Sequence, residues 1–128
     1  EYRDGANVDQ AQQDQYYQET CARLARFGAR SRILRRTSRA AAAEFRDGQL
    51  DFVYIDAQHH YEAVKEDLAL WYPKIHQGGW LSGHDYRDGV FAGGDFGVKR
   101  AVDEFVRERG LRLLIARDPH APSWFVKR

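Results

Sequence analysis

Apolar residues follow two spacings along this chain, and the two spacings alternate. Apolar positions three and four residues apart predict helices over residues 9–27, 39–46, 61–72 and 97–109. Short apolar runs between them predict strands over residues 31–35, 50–55, 80–83, 112–116 and 123–127. Alternation of helices with short apolar strands is typical of an α/β domain with a mostly parallel sheet.

The pattern also predicts how some of these strands are placed. The strand over residues 50–55 is apolar at nearly every position after its second residue, so we expect both of its faces to be buried. Only residues 118–122 separate the last two strands, and so short a connection favours an antiparallel hairpin. Residues 1–8 and 85–96 have no apolar period and are predicted to be loops.

Composition and charge exclude several classes of protein. The chain has 128 residues, which fits a single domain over 1–128. Its net charge of +1 provides no field that would require nucleic acid or a membrane. Its single cysteine, Cys21, excludes an intrachain disulfide and suits a reducing compartment, so we expect a cytoplasmic protein. The basic stretch over residues 23–39 is interpreted as solvated surface.

Polar side chains follow two of the predicted strands at the point where each ends. Asp56 ends the strand over 50–55 directly and is followed by His59, while His84 and Asp85 end the strand over 80–83. Ligands in open parallel sheets bind at these strand ends. If the two strands are neighbours, Asp56 and Asp85 lie close together. Two carboxylates with imidazoles could hold a hard divalent cation or carry out acid–base chemistry.

Other polar residues near the strand ends have simpler interpretations. We expect His60 at the surface where a helix starts, and His76 and His120 in surface turns. Thr37 and Ser38 either cap the helix that follows them or contact a ligand. Strand ends are polar wherever they reach water, so position alone does not make these residues functional.

Two segments of this chain resemble the class I S-adenosylmethionine-dependent methyltransferases. They are LDFVYIDAQHHYEAVKEDLALWYPKIHQGGWLSGHDY and, after it, FGVKRAVDEF. The resemblance is closest to the small-molecule O-methyltransferase branch. That branch often has a strand ending in Ile-Asp-Ala, then His and Tyr-Glu, a Pro-Gly-Gly-like turn and Gly-His-Asp-Tyr. The corresponding positions here are residues 55–57, 59, 61–62, 77–79 and 83–86.

This resemblance implies a Rossmann-like methyltransferase fold with seven strands in the order 3-2-1-4-5-7-6, of which strand 7 is antiparallel. The predicted strands over 31–35, 50–55 and 80–83 would be strands 3, 4 and 5, and the C-terminal hairpin would be strands 6 and 7. The Gly-rich cofactor loop after strand 1 and the ribose-binding acid of strand 2 have no counterpart. We therefore expect an incomplete domain in which the N-terminal strands 1 and 2 are missing.

The missing strands lead to an expectation about partners. The chain contains no methionine and begins at Glu1, so we expect a segment before Glu1 that supplies both strands. Without them, the strand over 50–55 would have an open apolar edge, and such edges bind other strands. A second copy in a homo-oligomer could fill the same gap. The chain alone could be inactive.

The resemblance also implies a cofactor site for S-adenosylmethionine. Thr37 and Ser38 would lie near its adenine, although the acid that is common at this place in the family is absent. Asp56 would lie near the sulfonium and the substrate, and His59 would also contact the cofactor.

Metal binding and proton transfer would involve the two strand ends together. Asp56 and Asp85 match the acids that bind magnesium in metal-dependent relatives. His84 does not belong to the usual all-oxygen ligand set, so it is free to act as a general base for a hydroxyl acceptor.

Three functions remain open on the sequence. We expect methyl transfer to a small-molecule acceptor, preferably at a hydroxyl oxygen, with S-adenosylmethionine as the cofactor and a divalent cation such as magnesium as an optional one. The first alternative is a metal-dependent hydrolase built on Asp56, His59, His84 and Asp85. The second is a non-catalytic, truncated methyltransferase-like module that associates with other chains.

Overall fold

The chain forms a four-stranded sheet with helices packed against it in a computed structural model that describes residues 8–91 and 94–128. The helices are α1 Gln10–Leu24, α2 Ser38–Ala42, α3 Tyr61–Trp71 and α4 Val98–Arg109. Short 3-10 turns follow α1 at Ala25–Arg30 and α3 at Tyr72–Lys74. The strands are β1 Leu50–Ile55, β2 Ile75–Gly83, β3 Asp88–Phe91, β4 Gly94–Gly97, β5 Leu113–Ile115 and β6 Trp124–Lys127.

The main sheet has the strand order β1-β2-β6-β5. β1 and β2 are parallel and are connected through α3, whereas β6 is antiparallel to both β2 and β5. The predicted α/β fold and the antiparallel C-terminal hairpin are therefore confirmed. The order also equals 4-5-7-6 of the methyltransferase sheet.

The core lies between the sheet and the helices α3 and α4. Its buried apolar residues are Val64, Leu68, Ile75, Leu81, Phe96, Val98, Ala101, Val102, Phe105, Trp124 and Val126. The α4 helix provides four of them from one face, and Gly110, in a left-handed conformation, ends this helix. None of the described helices is both long enough and apolar enough to cross a bilayer.

The prediction that both faces of the strand over residues 50–55, which is β1 in the structure, are buried is wrong. Val53 and Ile55 pack against the core, but Phe52 and Tyr54 on the opposite face are 51% and 43% exposed. β1 is also the edge of the main sheet within the described part of the chain. Its long apolar run therefore provides one buried face and one open face.

Two further predictions of local structure are wrong. Residues 31–35 form no strand, because a strand needs a neighbour to take its backbone hydrogen bonds and none pairs with them in the described chain. Residues 85–96 are not simply a loop, because β3 and β4 form an antiparallel hairpin there. The predicted loop over residues 1–8 lies, except for Val8, outside the described residues.

The buried core predicts a large difference between two leucines in strands of the same sheet. Leu81 is fully buried in β2, while Leu114 in β5 is 39% exposed. Leu81→Ala should lower the free energy of unfolding by about 2–5 kcal/mol, because it removes buried methyl groups and leaves a cavity. Leu114→Ala, the matched control, should cost about 1 kcal/mol or less. Urea denaturation of both variants measures the difference, and equal losses would contradict this description of the core.

Candidate functional site

The candidate site lies at the edge of the sheet where the parallel strands β1 and β2 both end. Ile55 and Gly83 pair as the last residues of the two strands. The backbone N–H of His84 then donates to the carbonyl oxygen of Ile55 at 3.1 Å. This bond holds the chain after β2 against the end of β1, so Asp56 emerges beside Asp85.

Asp85 is the centre of the cluster. It has a left-handed backbone with φ 51°, a conformation that Asp tolerates better than most residues, and it is only 7% exposed. One carboxylate oxygen, Oδ2, lies 3.2 Å from His59 Nε2 and 3.2 Å from His84 Nδ1. The other, Oδ1, lies 3.1 Å from a terminal nitrogen of Arg87. Three basic side chains thus surround one buried carboxylate.

His59 joins the two strand ends from the turn before α3. Its Nε2 lies 3.8 Å from Asp56 Oδ1 as well as 3.2 Å from Asp85. Its ring stacks on Phe96 with 4.5 Å between centroids and 10° between planes. Its carbonyl oxygen accepts from the N–H of Gly97 at 2.9 Å. The hairpin therefore fixes both the ring and the backbone of His59.

The geometry of this cluster suits a divalent cation as well as proton transfer. Ligand atoms of Asp56, His59 and Asp85 all lie within 4.8 Å of one another. The sequence grouped Asp56 with Asp85 as magnesium ligands and included His59 in the hydrolase alternative, and the structure brings these three residues together. One imidazole with two carboxylates favours a transition metal such as Mn²⁺ or Zn²⁺ over Mg²⁺, which prefers oxygen ligands alone.

Arg87, Phe91 and Phe96 form an aromatic clamp over the cluster that the sequence did not reveal. The Arg87 guanidinium carbon lies 4.3 Å from the centroids of both phenylalanine rings, which meet edge to face at 5.3 Å. These contacts hold Arg87 against Asp85. The clamp could not be predicted from a Gly-rich segment without a period, although an Arg directly after Gly-His-Asp-Tyr is a weak signal.

Tyr86 anchors the same loop to helix α4. Its hydroxyl donates to Asp103, which also accepts from Lys99 at 2.5 Å. Burial and the hydrogen bond to Asp103 raise the pKa of Tyr86 well above its usual value. Burial alone would raise the pKa of Asp103, but the hydrogen bonds from Lys99 and Tyr86 outweigh it and lower that pKa. The phenol is therefore a fixed donor in this loop.

Thr37 and Ser38 lie apart from the cluster, at the start of α2. The Thr37 hydroxyl caps this helix by accepting from the N–H of Ala40 at 3.3 Å, so the capping interpretation is confirmed for Thr37. Both residues also line a cavity of about 490 Å³ that extends to Ala57 and Gln58, next to Asp56. The cavity has the size of a small-molecule site, ~300–1,000 Å³.

The remaining histidines, His60, His76 and His120, are not among the described residues that form ion pairs with Asp85. His60 precedes α3, where its carbonyl oxygen accepts from Ala63 and Val64, as expected of a residue at a helix start. Its side chain is half-buried. His76 lies 3.0 Å from Asp51 at the opposite end of β1, and His120 is exposed.

Among the solved structures that share this fold are two bacterial proteins. A protein from Corynebacterium glutamicum superposes with a TM-score of 0.65 at 19% identity, covering 89% of this chain and 56% of its own. A protein from Staphylococcus aureus, named as a candidate caffeoyl-CoA O-methyltransferase, superposes with a TM-score of 0.64 at 15% identity, covering 89% and 59%. This chain therefore spans less than two thirds of either protein.

Sequence comparison identifies the family. The uncharacterized protein y4gI of Sinorhizobium fredii is 31% identical over 62 residues, which are 48% of this chain and 7% of that protein. Residues 3–86 match the family described as "Methyltransferase domain", and this match covers the ends of β1 and β2 with Asp56, His59, His84 and Asp85. Because the match extends over more than half of the chain, the chain belongs to the methyltransferase domain family.

Proposed function

We propose that this chain carries the acceptor side of a methyl transfer from S-adenosylmethionine to a hydroxyl oxygen of a small molecule. The observation that carries the proposal is the His84–Asp85 pair, which lies at the end of β2 beside Asp56. Membership of the methyltransferase domain family supports the reaction class. The choice of a hydroxyl acceptor rests on the histidine, because an alcohol or phenol must lose a proton during the transfer.

The cavity of about 490 Å³ that Thr37 and Ser38 line, here called the cavity beside β1, fits the proposed cofactor. Its wall combines Thr37 and Ser38, from the start of α2, with Ala57 and Gln58, from the turn after β1. Asp56 precedes this turn and lines the adjoining cavity along β1. When bound there, S-adenosylmethionine would supply an activated methyl group. The protein's contribution is to hold the acceptor beside it in an aligned position.

His84 is the base in this proposal. Its Nδ1 faces Asp85, so a proton on Nδ1 donates to the carboxylate and leaves Nε2 free to accept the acceptor's proton. Asp85 stabilises the imidazolium that results. Arg87 and His59 hold Asp85 in place from its other sides. A carboxylate that is already fixed by three partners needs no rearrangement when the charge develops.

A divalent cation at Asp56, His59 and Asp85 would support the same step. The donor atoms are close enough for a shared ion, and the mixed nitrogen and oxygen set fits Mn²⁺ or Zn²⁺. Such an ion supplies Lewis acidity that lowers the pKa of a hydroxyl group. The same residues would also serve a metal-dependent hydrolase, and the family match favours the transferase.

The open edge of β1 supports a proposed partner. Phe52 and Tyr54 are exposed beside an edge of β1 that no strand of the described chain pairs with, and such an edge can pair with a further strand. A segment before Glu1 or a second copy of the chain would supply such a strand. Either would also enclose the cavity beside β1.

Cofactor binding tests the proposal directly. S-adenosylmethionine should bind to this chain or to a form extended before Glu1, as measured by titration calorimetry. Asp56→Ala should weaken that binding about tenfold or more, about 1.4 kcal/mol, if Asp56 lies at the cofactor. Asp51→Ala is the matched control, because Asp51 is the exposed acid at the other end of β1. The absence of binding in both forms would contradict the proposal and leave the hydrolase and the non-catalytic module.

His84→Gln separates the chemical step from binding. Glutamine keeps a hydrogen-bonding side chain but cannot accept a proton, so kcat for a hydroxyl acceptor should fall by about 10²–10⁴. The Kd for S-adenosylmethionine should stay within about twofold. His76→Gln, at the opposite end of the strands, should leave both constants unchanged. Unchanged turnover in His84→Gln would exclude His84 as the base.

Manganese binding tests the metal set independently of activity. The wild-type chain should bind Mn²⁺, as followed by electron paramagnetic resonance, and Asp85→Asn should weaken binding by at least about tenfold because it removes a charged ligand. Asparagine tolerates the left-handed backbone, so the loop should keep its shape. Asp51→Asn serves as the control. A wild-type chain that binds neither Mn²⁺ nor Zn²⁺ would restrict the cluster to proton transfer.

A further inference from the structure

Asp67 is a buried acid that the proposed reaction does not use. It lies on α3 and is only 6% exposed, between the core residues Val64 and Leu68 on one side and the cavity beside β1 on the other. It lines both that cavity and the adjoining one along β1. A carboxyl group at such a place costs free energy unless a partner compensates for its desolvation.

The neighbours of Asp67 compensate only in part for the desolvation of its carboxyl group. Burial is the largest influence and raises its pKa, the Ser38 hydroxyl lowers it through a hydrogen bond, and the charge of Glu66 raises it further. No cation among the described residues contributes to this pKa. The Ser38 hydroxyl oxygen also accepts a hydrogen bond from Trp71 Nε1 at 2.7 Å. The hydroxyl proton of Ser38 therefore points away from the indole. A carboxyl group has about four acceptor positions, so a single hydroxyl leaves capacity for a ligand.

The position of Asp67 matches one part of the proposed cofactor. Thr37 and Ser38 begin α2 on one wall of the cavity, and Ala57 and Gln58 follow β1 on another. The strand end at Asp56 leads to the reacting cluster, so the opposite part of the cavity remains for the nucleobase. No acid occurs among residues 35–38, and the buried acid that lines this cavity is Asp67 on α3.

We propose that Asp67 is a specificity-determining residue that accepts a hydrogen bond from the exocyclic amino group of the cofactor's adenine. The inference rests on the proposed binding of S-adenosylmethionine and identifies the group that recognises its base. The adenine amino group is a donor, and a buried carboxyl oxygen is its acceptor. A 6-oxo purine has a carbonyl oxygen at the same position, so two acceptors would face each other in a dry site.

The size of this preference follows from the chemistry of the contact. A hydrogen bond to a charged or strongly polar group corresponds to about a 10- to 100-fold change in affinity. A site built around such a bond also rejects a ligand that leaves its buried group unpaired. Glu66 is a competing candidate at the same cavity, but it is more exposed and lies 2.7 Å from Arg39.

Calorimetric titration with two matched ligands tests the inference. S-adenosylhomocysteine carries the amino group, and S-inosylhomocysteine carries a 6-oxo group and is otherwise the same. The wild-type chain should prefer the first by about 10- to 100-fold. Asp67→Leu should reduce the ratio of the two Kd values to about threefold or less. Asp67→Asn should also reduce the ratio, because its amide can donate to the 6-oxo group as well as accept from the amino group.

The ratio distinguishes recognition from a structural role. If Asp67 only supports α2 through Ser38, Asp67→Leu weakens both ligands equally and the ratio stays unchanged, which would overturn the inference. If Asp67→Leu lowers the unfolding temperature, Asp67→Ala replaces it as the variant in which the ratio is measured. A ratio lost in Glu66→Leu but kept in Asp67→Leu would also overturn it. A wild-type chain that binds both ligands equally overturns the inference alone, whereas one that binds neither overturns the proposed function too.

Discussion

The parallel pairing of β1 with β2 brings together the two acids of the candidate site, Asp56 and Asp85. At the end of this pairing, a Cβ on Gly83 would lie 2.6 Å from the carbonyl oxygen of Ile55 and 2.6 Å from the Trp124 ring. Only glycine therefore allows this approach of the three strands β1, β2 and β6. Because β2 is held on both sides, Asp56 and Asp85 leave the sheet at a fixed separation.

The hairpin of β3 and β4 adds a second support from outside the main sheet. Phe96 stacks on His59, and Arg87 lies against both Phe96 and Asp85. The ring and the carboxylate are thus held by groups that do not themselves need to react. Such support fixes a catalytic or ligand-binding set more closely than a loop alone would.

Part of this arrangement follows from the sequence and part does not. The meeting of Asp56 with Asp85 was predictable, because the ends of parallel neighbouring strands share one edge. The strand over residues 31–35 was not, because its apolar pattern is local while a strand requires a partner. The position of Asp67 was predictable from the sequence, but its role was not. Its spacing from Val64 places it on the buried side of α3, so an acid in that position was a visible signal.

The hairpin and its clamp were hidden for a different reason. Residues 85–96 contain many glycines, and glycine weakens both the strand pattern and any expectation of fixed structure. The contacts of Arg87 with Phe91 and Phe96 join residues whose spacing follows no regular period. Contacts of this kind depend on how the hairpin packs against α3 and α4, which a local pattern of residue types does not reveal.

The left-handed backbone of Asp85 has a consequence for how this site can change in evolution. Alanine or a branched residue there would cost about 1–2 kcal/mol in backbone strain alone. Asparagine avoids this cost, and the codons of Asp and Asn differ by one nucleotide. A single mutation can therefore remove the central negative charge while leaving the loop intact. Relatives with Asn at this position would keep the fold and lose the negative charge that lies beside both histidines.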